Sequence, residues 1–214
     1  RAVMAEVCLE AGDLDGAEAH ISEIAAIINR LSDANDRSVS TLYLSNHREQ
    51  LLLLQGQAEF KRGNTQQGAK LVQASILLGT RARGADHPDI APALCVLSEM
   101  HCQMDQADTA LDVARRAVVA AGELKELGRA QACVANALRF KDQLPEAAKE
   151  FTKALRTLRR SFGDHSPAFG FAAVHAGLCR EAAQDWEAAA ALYAQGATAV
   201  VTHFARLAEA LPGQ

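Results

Sequence analysis

Apolar residues along the chain recur three and four positions apart, in segments separated by short polar turns, and this spacing predicts amphipathic helices. The turns recur as well. Gly63 and Asp105 are 105 − 63 = 42 residues apart, and Asp142 and Gln184 are again 184 − 142 = 42 apart. Five positions after each comes a small residue (Gly68, Ala110, Ala147, Ala189), and seven further on another (Ser75, Ala117, Ala154, Gly196). Gly12 followed by Ala17 opens the same frame earlier in the chain. Ile21, Val72, Ala114, Phe151 and Tyr193 stand four residues after the first small residue, and Leu14, Leu144 and Trp186 stand two after their turns. A hairpin of a first helix, a turn and a second helix cannot bury its apolar stripe alone, so a repeat of this period predicts stacked hairpins. Small residues mark where two helices approach closely.

The frame places repeats at about 1–31, 37–84, 88–123, 127–163 and 167–196. A closing helix is expected at about 197–211, where Val200, Val201, Phe204, Leu207 and Leu211 would cover the open end before Pro212-Gly213 stops it. One segment breaks the period. Gly12 to Gly63 is 51 residues, and the surplus contains the polar break Ser32-Asp33-Ala34-Asn35-Asp36. From Arg37 to Arg62 the sequence predicts one long helix carrying Val39, Leu42, Tyr43, Asn46 and Leu53, either a ridge for a partner or an insertion packed on its own repeat.

The links between hairpins carry their own chemistry. Gly84-Ala85-Asp86-His87-Pro88-Asp89 precedes the third repeat, and Gly163-Asp164-His165-Ser166-Pro167 precedes the fifth. Pro88 and Pro167 suit a first helical position, where no N–H is needed, with Asp86, His87 or Ser166 as caps. The stretch from Gly63 through this link to Ala117 resembles tetratricopeptide repeats of the kinesin light chain type, whose link reads Gly-Pro-Asp-His-Pro-Asp. Ala85 replaces the first Pro, and the second link is one residue short. The resemblance implies an all-α, right-handed superhelical solenoid of about five hairpins with a C-terminal capping helix, and a role in recognising other proteins.

Composition narrows the function. Of 214 residues 49% are hydrophobic but only 5% aromatic, so tight packing of Ala, Leu and Val is expected rather than a deep small-molecule pocket. No run approaches a membrane span, and the densest cluster, Leu51 to Leu54, reads as a core stripe. Arg1-Ala2-Val3 runs straight into the first repeat without a signal peptide, which suggests a fragment or a processed form. Cytoplasm is the expected compartment, with the mitochondrial matrix or another organelle after presequence removal as the alternative. Cys8, Cys95, Cys102, Cys133 and Cys179 form no Cys-x-x-Cys pair, so neither zinc nor a disulfide framework is expected, and Cys95, Cys133 and Cys179 read as apolar fillers. His175 and Cys179 stand four apart, but two ligands do not make a metal site. No phosphate loop, His-Glu-x-x-His or nucleophile elbow occurs, and neither an enzyme nor a cofactor is expected.

Two candidate surfaces remain. On the resemblance, first helices line the concave face. The frame then assigns to that groove Glu6 and Glu10, Gln57 and Lys61, Glu99 and Gln103, Asn136 and Arg139, and Leu178 and Glu181. Asn136 can both donate and accept toward a peptide backbone, and Arg139 can pair with an acidic side chain. The chain departs from the kinesin light chain pattern where it has Cys95-Val96 and Ala132-Cys133 in place of an Asn pair, and it lacks the Lys and Asn set of chaperone-binding repeats. The second surface is charged. Residues 1–36 hold two basic and eight acidic side chains, residues 124–163 nine basic and four acidic. Lys149, Lys153, Arg156 and Arg160 fall along one side of a helix, a possible stripe for an acidic partner. Nucleic acid is not expected there, because no aromatic residues are interleaved. The expected function is a non-catalytic adaptor or scaffold holding another protein, or alternatively a structural subunit or assembly factor of a large multiprotein complex, organellar or not.

Overall fold

Every hairpin turns on one residue in the left-handed conformation. Gly12 (φ 79°), Gly63 (φ 88°), Asp105 (φ 58°), Asp142 (φ 58°) and Gln184 (φ 59°) are the five, in the computed structural model, which describes residues 1–33, 41–123 and 125–210. The amide after each reaches back to the carbonyl five residues earlier: Asp13 to Cys8, Asn64 to Glu59, Gln106 to His101, Gln143 to Leu138 and Asp185 to Arg180, all at 2.9 Å. This Schellman closure satisfies carbonyls at the end of the first helix. The next helix starts at once, with Ala17, Gly68, Ala110, Ala147 and Ala189 each donating to the residue four before it. All five of those small residues are buried.

The described residues form ten α-helices: α1 (Ala2–Ala11), α2 (Leu14–Asp33), α3 (Thr41–Lys61), α4 (Thr65–Arg83), α5 (Ala91–Gln103), α6 (Ala107–Ala121), α7 (Leu127–Phe140), α8 (Leu144–Phe162), α9 (Pro167–Ala182) and α10 (Trp186–Ala210). The result is an all-α solenoid. Each helix packs on the next, and the first helices of successive hairpins, α1, α3, α5, α7 and α9, also touch one another. Among the described residues no two successive second helices pack to a comparable extent. The first helices therefore form the inner, concave wall and the second helices splay outward. Buried side chains group junction by junction: Leu9, Ile21 and Leu54; Val72, Leu94 and Met100; Leu111, Leu138 and Phe151; Leu158, Phe169 and Ala199.

Close approach is set by glycine at two crossings. A Cβ on Gly68 would stand 2.7 Å from the Gly56 carbonyl oxygen, and one on Gly196 2.9 Å from that of Gly170. Backbones of α3 with α4 and of α9 with α10 thus touch without an intervening side chain.

The links behave as N-caps. The His87 ring accepts from the Asp89 amide at 3.3 Å with Pro88 opening a short 3-10 turn, and Ser166 Oγ accepts from the Phe169 amide at 3.3 Å with Pro167 opening α9. Cys95, Cys133 and Cys179 are buried among apolar neighbours.

One expectation is decided between its two alternatives, in favour of packing on its own repeat, and one is revised. The long helix is α3, with residues 37–40, Val39 among them, outside the described set. Its extra turns are tied to its own repeat: Ser75 Oγ donates to the Glu49 carbonyl at 2.9 Å, and Arg83 binds Asn46 Oδ1 at 2.7 Å and Glu49 at 2.6 Å. No separate closing helix begins at 197, because α10 runs unbroken from Trp186 to Ala210, longer than any other described helix. Val200 lies over Gly170, but Val201 is 68% exposed and faces water, since the unbroken helix turns it away from α9. The Leu207 side chain, Leu211 and Pro212-Gly213 lie outside the described set.

Two substitutions are expected to move stability in opposite directions. Gly68→Ala must push α3 from α4 and lower unfolding free energy by about 1–3 kcal/mol. Gln184→Gly removes a left-handed penalty of about 1–2 kcal/mol, partly offset by a more flexible unfolded chain, and should raise stability by about 0.5–1 kcal/mol. Urea midpoints of both variants check the pair, and equal midpoints would mean that the turn and the crossing do not set the hairpin.

Candidate functional site

The inner wall is built by positions that repeat with the hairpins: Gln57, Glu99, Asn136 and Leu178 are separated by 42, 37 and 42 residues, each on a first helix. Lys61, Gln103 and Glu181 near the helix ends are exposed, as are Glu99 and, on α1, Glu6 and Glu10; Leu178 is 37% exposed, while Gln57, Asn136 and Arg139 are half-buried.

Some of these residues work together. Glu99 is open to water yet enclosed by the curve of the wall, and that enclosure pushes its carboxyl above the usual range, while Arg129 and Lys61 pull it back. Three successive first helices, α3, α5 and α7, therefore bring Lys61, Glu99 and Arg129 into one electrostatic group. Enclosure opposes the Arg129 charge, but Glu126, Cys95 and Glu99 outweigh it and leave the guanidinium pKa raised. Beneath them the Cys133 thiol donates to the Cys95 carbonyl at 3.8 Å, and its pKa lies well above the usual thiol value, first through Cys95 and then through burial. Burial and Glu99 push Cys102 up to about 11, against Arg139. These thiols are held protonated at neutral pH.

Further along, Arg139 donates to Asn136 Oδ1 through Nε at 3.2 Å and Nη2 at 2.9 Å, and its guanidinium lies 4.5 Å over the Phe140 ring. The Asn136 carbonyl is thus engaged, leaving its amide nitrogen to donate outward. Burial, then Arg139, lowers the His175 pKa, and its ring stacks toward Phe151 at 6.4 Å. Glu181 accepts from the Tyr193 hydroxyl, which raises that phenol to about 12. Gln57 and Gln103 make no side-chain hydrogen bond among the described residues.

The sequence frame missed three inner residues. Arg129 and Phe171 lie seven positions before Asn136 and Leu178, two turns along the same faces, and Phe140 lies four after Asn136. The seven-residue offset was the signal that could have found the first two. Nor did it foresee closure: α10 reaches back so that His203 Nε2 stands 3.6 Å from Glu10 Oε2 on α1, bringing the first and last hairpins together.

The basic stripe lies apart from this wall. Lys149, Lys153, Arg156 and Arg160 are all exposed on the outer side of α8, with Lys153 2.6 Å from Glu150. Among the described residues no three His, Cys or carboxylate side chains cluster as a metal would need, and no described helix is long and apolar enough to cross a membrane.

Because Glu99 binds its proton more tightly in the folded state than in the unfolded chain, its contribution to stability is fully present below the ordinary carboxylate pKa and is lost as pH rises through the raised value. Glu99→Gln should therefore raise the urea midpoint at neutral pH, with the gain closing as pH falls below the ordinary carboxylate range. An unchanged or lower midpoint at neutral pH would remove the enclosure from the account.

Comparison with known proteins agrees with the fold. Residues 47–120 match the tetratricopeptide repeat family model. Among solved structures, BtubC (BKLC) from P. vanneervenii is similar over 99% of this chain and 81% of its own, with 13% identity and a TM-score of 0.66. Nearly identical TPR-like repeats of a Podosopora anserina kinesin light chain-type protein align over 94% of this chain and 93% of theirs, with 14% identity and a TM-score of 0.60. A Rap protein complexed with Competence and Sporulation Factor aligns over 94% of this chain and 65% of its own, with 16% identity and a TM-score of 0.64. No curated protein sequence matches the chain.

Proposed function

We propose that this tetratricopeptide repeat array, whose repeats resemble the kinesin light chain type, is a non-catalytic scaffold or adaptor that holds a segment of another protein against its inner wall. The observation that carries the reading is the convergence of Lys61, Glu99 and Arg129 from three successive helices, continued by the Asn136–Arg139 pair. Such a wall offers charges of both signs and a free amide donor, which suits a polar polypeptide. The similarly folded Rap protein, seen with a separate factor, supports the general mode. Flanking Phe140 and Phe171, 40% and 59% exposed, add apolar anchors.

Asn136→Ala combined with Arg139→Glu tests the reading. Quantitative affinity capture of the main partner should be abolished while the chain stays folded and helical, its melting curve shifting by about 1 kcal/mol in stability, the loss of one hydrogen-bonded pair at half-buried positions. Capture retained by the folded variant would move the contact off the inner wall. It would favour the second reading, a subunit built permanently into a larger assembly, to which the exposed Val3, Met4, Trp186 and Val201 lend apolar surface.

A further inference from the structure

The splay of the second helices leaves grooves on the outer face, and two equivalent ones have opposite electrostatics. Between α2 and α4, over α3, lies a groove of about 450 Å³ whose Arg62 is neutralised from two sides, by Glu18 on one wall and by Glu59 at 3.1 Å. Between α8 and α10, over α9, lies a groove of about 480 Å³ lined by Arg156, Arg159 and Arg180. Arg180 has Asp185 at 3.6 Å, and Arg159 lies over the Phe169 ring at 5.2 Å. Among the described residues Arg156 and Arg159 have no carboxylate within 4.0 Å, and neither do Lys149 and Arg160 beside them. Apart from Thr152 and Gln195 the rest of the lining is apolar and graded in size: Leu155, Phe169 and Leu192 below, Ala148, Ala188 and Ala191 toward the rim.

We propose that this outer groove docks an acidic amphipathic helix of a partner protein, its apolar stripe on Leu155, Phe169 and Leu192 and its carboxylates on Arg156, Arg159 and Arg180. Helical walls offer no free backbone for a strand to pair with, whereas alanines at the rim let a third helix come close. Ala148 to Arg159 spans about 16 Å, three turns of a docked helix. The groove is too small for a whole helix about 10 Å across, so only the stripe enters and the carboxylates stay at the level of the arginines. A nucleic-acid backbone would leave the Ala188–Leu192 wall uncovered and finds no stacking ring at the rim. A flat bilayer cannot reach a floor recessed between two helices.

The probe is a fluorescein-labelled synthetic helix of about 18 residues, with Leu along one face, Glu flanking it and Ala elsewhere, titrated by anisotropy against the full chain. Saturable binding is expected, weakened at least roughly tenfold by Arg156→Glu with Arg159→Glu, the loss of one charge-assisted pair or more. Ala191→Trp, at an exposed position, should fill the groove and weaken binding equally with the melting curve unchanged. Asn136→Ala with Arg139→Glu should leave it intact, which separates this groove from the inner wall. The proposal is overturned by absence of saturable binding, by equal binding of a peptide with Ser in place of Leu, or by full binding to the Ala191→Trp protein. Capture of RNA or anionic vesicles through the same arginines in place of the peptide would also overturn it.

Discussion

Contact between backbones at the crossing of two helices governs this molecule. Where α3 meets α4, only the absence of side chains at Gly56 and Gly68 lets the two helices lie together, and Ala110, Ala147 and Ala189 do the same work with a single methyl group. The crossing lies five residues after a left-handed turn, so turn and crossing together fix the direction in which the second helix leaves. A larger residue at one crossing disturbs one hairpin. Because each hairpin packs chiefly on its neighbours, with the His203–Glu10 approach as a link between the ends, the array keeps most of its stability as a sum of such junctions.

From that local geometry the two surfaces follow. First helices that touch along the inside and second helices that stand apart outside give a curved wall and open outer grooves. The curve changes chemistry as well as shape, since Glu99 is exposed to water but far enough enclosed that its charge is disfavoured, and Lys61 and Arg129 gather around it. Outside, splaying leaves apolar floors that the chain covers or neutralises in one place, through Arg62 with Glu18, and leaves bare beside Arg156 and Arg159 in another.

Much of this was written in the sequence, because its signals are local. A left-handed turn selects Gly or a short polar residue such as Asp, the small residue follows at a fixed distance, and Pro88 and Pro167 mark helix starts. Gln184 shows that spacing outranks residue type, since only its place in the frame reveals the turn. What stayed hidden depends mostly on contacts far apart in the chain. The bond from Arg139 to the Asn136 carbonyl is local, but their three-residue spacing does not by itself say that the two side chains take each other as partners. No pattern in α10 announces the approach of His203 to Glu10, and an unbroken helix turned Val201 toward water although its spacing fitted a capping stripe.

Closure of the first hairpin on the last accumulates the angle set at every crossing, and it is the most demanding consequence of the account. Double electron–electron resonance between spin labels on Glu10→Cys and His203→Cys measures it directly, with the partly exposed Cys8 replaced by Ser and the other native thiols buried. A single narrow distribution of short distances is predicted. A broad distribution of long distances would contradict inward curvature by contact between first helices, and with it the enclosed inner wall.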